Sequence, residues 1–105
     1  MKKEIIVFSL GGSLIVPDKV DHEYLKKFKE FIQKLNEKYK IIIVTGGGKT
    51  AREYMKEVKD EKIKSMIGIM TTKLNARLIA GLFNIKNYIP DTLREVKKQI
   101  EKKKR

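Results

Sequence analysis

Apolar and polar positions along the chain fall into two kinds of pattern, and their alternation lays out an architecture. Ile5-Ile6-Val7-Phe8 and Ile41-Ile42-Ile43-Val44 are short continuous apolar runs. Runs of this length without polar alternation predict strands buried on both faces, as in a parallel sheet. Elsewhere apolar residues recur at helical spacing. Leu25, Phe28, Phe31, Ile32 and Leu35 predict a helix that starts at a capping Asp21 and runs to about residue 39. Ala51, Tyr54, Met55 and Val58 predict a helix over 49–59, and Ile63, Met66, Ile67, Met70, Leu74, Leu78 and Leu82 a long one over 62–83. Gly68 interrupts the long helix; a mid-helix glycine costs about 1 kcal/mol against alanine, so it signals close packing on a neighbour or a ligand. Residues 85–89 predict a third strand ended by Pro90, after which Asp91 or Thr92 caps a last helix through Leu93, Val96 and Ile100. The order β-α-β-α-α-β-α, without linker or repeat, predicts an α/β fold of three αβα layers around a mainly parallel sheet.

Each of the first two strands stops at glycines, Gly11-Gly12-Ser13 and Gly46-Gly47-Gly48. Glycines leave the backbone unobstructed and permit positive φ, so successive N–H groups can converge on an anion. A helix starting after Gly48 adds its unsatisfied N-terminal amides and the positive end of its dipole. Arg52 lies about one helical turn beyond the triplet, within reach of a phosphate in front of it. Either turn alone is equally compatible with a tight strand-to-helix connection. Two of them after parallel strands lie at the same carboxyl edge of the sheet, where α/β folds bind ligands. Thr71, Thr72, Lys73, Asn75 and Arg77 put polar groups on the long helix, for a ligand, a subunit or solvent.

One hundred and five residues make one small domain, tight for an enzyme with two substrates. The absence of cysteine excludes disulfides, thiolate metal sites and a cysteine nucleophile. No apolar run is long enough to span a bilayer, and no cleavage signal follows Met1-Lys2-Lys3, so a cytoplasmic protein without membrane contact is expected. The net charge of +12 would attract polyanions. Its lysines are spread over helix faces and gathered in a basic tail, 97–105, expected to be disordered, and no nucleic-acid recognition pattern is present. His22, the only histidine, sits at a helix start with no metal-binding companion and carries no assigned role.

The motifs Ser9-Leu10-Gly11-Gly12-Ser13-Leu14-Ile15, Val44-Thr45-Gly46-Gly47-Gly48-Lys49-Thr50-Ala51-Arg52-Glu53-Tyr54, Ile67-Gly68-Ile69 and Thr72-Lys73-Leu74-Asn75-Ala76-Arg77, with Asp21 and Tyr24-Leu25 between, occur in this order. Together they resemble the amino-acid kinase superfamily, and within it the archaeal type of uridylate (UMP) kinase. The resemblance implies that residues 1–96 form the half that binds the phosphate acceptor UMP. Gly11, Gly12 and Ser13 would approach the transferring phosphate as the catalytic turn; Gly46, Gly47, Gly48 and Arg52 would hold the UMP phosphate. Ser65, Gly68, Thr72 and Asn75 would flank the nucleoside and a subunit interface. ATP and Mg²⁺ are implied as phosphate donor and cofactor, with most of their site outside these residues. The implied partners are a second copy or a chain carrying the ATP-binding half. Ser9 stands where many members carry lysine, and Ser65 where an acidic residue often contacts the ribose. Acetylglutamate, carbamate or isopentenyl phosphate kinases, and a non-catalytic nucleotide- or polyanion-binding protein, are the alternative readings.

Overall fold

Strands β1 (Glu4–Leu10) and β2 (Tyr39–Thr45) pair in parallel, from Glu4 opposite Tyr39 to Leu10 opposite Thr45. A parallel pair requires a crossover, here α1 (Gly12–Ile15) and α2 (His22–Leu35). After β2 come α3 (Gly48–Met55), α4 (Glu61–Leu82) and α5 (Leu93–Lys102). This computed structural model describes residues 3–86, 89–90 and 93–102. The fold is α/β with a parallel sheet, as the hydrophobic pattern predicts.

The start of α2 follows from Asp21, whose carboxylate accepts from the Tyr24 N–H at 3.0 Å. Its apolar stripe buries Leu25, Phe28 and Ile32 in a cluster with Leu10, Ile15, Val16 and Ile79. Phe31, on the rim, meets Phe8 edge to face at 6.0 Å. Ile15 is fully buried although it belongs to a helix of four residues. The opposite face of the sheet is open: Ile5, Val7 and Val44 are 50%, 61% and 53% exposed. Parallel strands are ordinarily covered on both faces, so this pair lacks its usual covering layer among the described residues.

Several boundaries differ from the sequence reading. The first long helix ends at Leu35 and not near 39, because Asn36, Glu37 and Lys38 close a turn and Tyr39 joins the ladder opposite Glu4. Helix α3 stops at Met55, where the N–H groups of Glu57 and Val58 turn back onto the Tyr54 and Met55 carbonyls. The strand expected over 85–89 is not formed at Ile85, Lys86 or Ile89; Asn87 and Tyr88, and the proposed caps Asp91 and Thr92, lie outside the described residues. The Phe83 and Asn84 turn, with Asn84 at φ 57°, brings the Ile85 N–H to the Ala80 carbonyl and ties this segment to the helix end. Basic residues expected in a disordered tail, Lys97, Lys98 and Lys102, belong to helix α5. Gly68 packs as its position suggests, since an added Cβ would meet Met55 Cε at 2.9 Å.

Candidate functional site

The two glycine turns lie side by side because the strands that lead into them are parallel and in register. Gly46 donates to the Leu10 carbonyl at 3.3 Å, extending the ladder by one bond before the chains diverge. Beyond it the backbones interlock. A Cβ added to Gly12 would collide with Gly48 N and lie 2.6 Å from Gly47 C and Gly48 Cα. Gly48 has φ 66°, a conformation suited to glycine, and sits against the Gly12 carbonyl. The first turn closes as α1, with Leu14 N–H on the Gly11 carbonyl at 3.0 Å and Val16 N–H on the Gly12 carbonyl at 2.8 Å.

Two cations from the start of α3 reach across to the first turn. Arg52 Nη1 donates to Ser13 Oγ at 3.3 Å, so the guanidinium and hydroxyl link the two turns. Lys49 Nζ donates to Asp18 at 2.6 Å, a contact between residues far apart in sequence that no local pattern announces. That hydrogen bond first, and the Coulomb attraction of Lys49 second, hold the Asp18 carboxyl below its ordinary range and raise the Lys49 ammonium. The N–H groups of Gly47 and Gly48 donate no hydrogen bond among the described residues. Unused donors beside an exposed arginine at the N-terminus of an eight-residue helix have the chemistry to receive an anion.

Helix α4 closes the other side. Gly47, Gly48, Arg52, Ser65, Gly68 and Thr72 line one cavity of about 1230 Å³, which continues along β2 to Phe83, Ile89 and Val96. Gly11, Gly12, Ser13 and Gly46 stand outside its lining, and Asn75 is buried behind it. The Asn75 amide donates to the Gly46 carbonyl at 2.7 Å and the Gly47 carbonyl at 3.2 Å. Thr45 Oγ1 donates to the Thr72 carbonyl at 3.1 Å, and Thr71 is buried with its hydroxyl on the Ile67 and Gly68 carbonyls. Thr45 and Lys49 are not candidates in the sequence reading; a polar residue closing an apolar strand run is the one signal Thr45 offers. Among the described residues no group of three or more His, Cys, Asp or Glu side chains could hold a metal, and no helix is long and apolar enough to cross a membrane. Asp21 and Asp60 cap helices, and His22 is exposed.

The chain is similar to known proteins over most of its length. The uridylate kinase of Pyrococcus abyssi is 40% identical over 87 residues, 79% of this chain and 39% of that protein. The uridylate kinase of Thermoplasma volcanium is 43% identical over 98 residues, covering 88% and 42%. The crystal structure of uridylate kinase from Archaeoglobus fulgidus superposes with a TM-score of 0.78 at 30% identity, over 93% of this chain and 46% of that one. The chain thus spans less than half the length of these relatives. The amino acid kinase family model matches residues 4–104, and the chain belongs to the amino acid kinase family.

Proposed function

We propose that this chain is the acceptor half of a UMP kinase, holding the UMP phosphate at the second glycine turn. The observation that carries the reading is the Arg52 guanidinium on Ser13 of the first turn, at the start of a helix entered by Gly47 and Gly48, whose N–H groups have no acceptor among the described residues, in a chain similar to uridylate kinases. Arg52 supplies a bidentate charge for the phosphate, and the amides supply directed donors. The nucleoside would extend along Ser65, Gly68 and Thr72. Gly11, Gly12 and Ser13 face the transferring phosphoryl group, whose in-line transfer depends on positioning and charge neutralisation. Mg²⁺, when bound with ATP, would supply further charge neutralisation. The donor site belongs to polypeptide equivalent to the rest of the relatives' length. The proposed setting is the cytoplasm.

A thermal-shift panel of UMP, CMP, AMP, isopentenyl phosphate and duplex DNA tests the assignment. A ligand at a hundred times its dissociation constant stabilises by about 2.7 kcal/mol, so UMP should give the largest shift. Isopentenyl phosphate or DNA in first place would move the function to another kinase of the family or to polyanion binding. Within this reading Arg52→Ala removes a charge-assisted hydrogen bond and should weaken UMP binding by about 1.5–3 kcal/mol by calorimetry. Its effect on folding should stay within about 0.5 kcal/mol, because Arg52 is exposed.

Self-association is proposed through α4. Met66, Met70 and Leu74 are 59%, 67% and 60% exposed at helical spacing, a stripe that solvent-facing helices rarely carry. Light scattering at tens of micromolar should give at least a dimer, and Met70→Asp should shift it toward monomer. A strictly monomeric mass across that range contradicts this proposal.

A further inference from the structure

We infer that Asn75 is a positioning residue that aims the phosphate-binding amides, and not a contact to the nucleoside. The inference rests on the phosphate site proposed above. Asn75 is 3% exposed, on the buried side of α4, and its amide nitrogen donates to the carbonyls of both Gly46 and Gly47. Every described peptide bond is trans, and a trans peptide is planar, with its C=O and N–H pointing in opposite directions. Turning the Gly46 carbonyl toward Asn75 therefore turns the Gly47 N–H away from α4. The Gly47 carbonyl does the same for the Gly48 N–H. One side chain thus sets two successive peptide planes, whose N–H groups, those of Gly47 and Gly48, have no acceptor among the described residues.

Neighbouring contacts prevent the turn from meeting Asn75 in another pose. Gly47 lies flat on α4, since an added Cβ would come 2.8 Å from Thr71 Oγ1. Thr45, the residue before the triplet, is anchored by its Oγ1 to the Thr72 carbonyl. Gly46 N–H is already spent on Leu10, so it is not one of the aimed donors. Glycine triplets have wide backbone freedom, and without a donor behind them the two planes would populate orientations in which the amides no longer converge. Preorganised donors avoid that ordering cost when the anion arrives.

The test separates phosphate recognition from fold. Calorimetry compares UMP with uridine on the wild-type chain, Asn75→Leu and Asn75→Asp. Leucine keeps much of the volume and loses the donor; aspartate keeps the shape and sets a carboxylate against two carbonyls. The preference of the wild-type chain for UMP over uridine should fall at least about tenfold in both variants, with uridine affinity unchanged, as expected for losing directed charge-assisted bonds. A merely structural role would weaken both ligands together. An unchanged UMP preference in a folded variant overturns the inference, whereas a wild-type chain that does not prefer UMP overturns the phosphate site itself. Amide chemical shifts of the wild-type chain give a readout that needs no variant: UMP should move Gly47 and Gly48 strongly and Gly46 little. Silent Gly47 and Gly48 amides at UMP saturation also overturn it.

Discussion

Gly12→Ala is expected to abolish UMP binding and to destabilise the fold, whereas Gly11→Ala, one residue away, should do neither. The contrast follows from the space each Cβ would enter. At Gly12 a methyl group would run into the backbone of Gly47 and Gly48, and backbone cannot rotate aside as the end of a long side chain can. The turns must separate, which costs about 1–3 kcal/mol or more by analogy with overpacked cores. Separation also carries Arg52 away from Ser13 and removes the convergence of donors on which phosphate affinity depends. At Gly11 nothing lies within 4 Å of the added Cβ and φ is −59°, which alanine adopts freely. Denaturant melts and calorimetric UMP titrations of the two variants check the pair of outcomes. A Gly12→Ala chain that binds UMP like wild type would mean that the interlock is incidental to the site.

The second large effect is an absence of turnover. On the proposed reading the isolated chain binds UMP and forms no UDP from ATP, until a polypeptide carrying the rest of the kinase fold is added. Phosphoryl transfer needs donor and acceptor phosphates held in line, and orientation alone accounts for about 7–11 kcal/mol of such barriers. Here Ser9 offers no charge on β1, and Asp18 is held by Lys49. Coverage of 39–46% of the uridylate kinase relatives and the open apolar face of Ile5, Val7 and Val44 support the need for further chain. A coupled ADP-release assay checks it. Robust turnover by the isolated chain, lost in Gly47→Val, would contradict the half-site reading.

Much of this was legible in the sequence because it depends on local chemistry. Asp21 caps α2, the 3.6-residue stripe from Leu25 to Ile32 becomes core, and both apolar runs become parallel strands. The glycines announce turns, and Arg52 announces their partner. What was not legible depends on contacts distant in the chain. Asn75 is expected from the family resemblance beside the nucleoside, and nothing local in the sequence announces that its amide bonds Gly46 and Gly47, 28–29 residues away. Lys49 and Asp18 meet only because the two turns interlock. The strand expected over 85–89 shows the opposite failure: an apolar segment with strand-like composition follows a tight turn at Asn84 and forms no ladder at its described residues.

The most direct measurement of the central claim is a crystal structure of the chain with UMP. The phosphate should lie in front of the second glycine turn, within hydrogen-bond distance of the Gly47 and Gly48 amides and the Arg52 guanidinium, with the nucleoside directed toward Thr72 and Ser65. A phosphate seated elsewhere, on the lysines of α5 for example, with these three groups uncontacted, would contradict it.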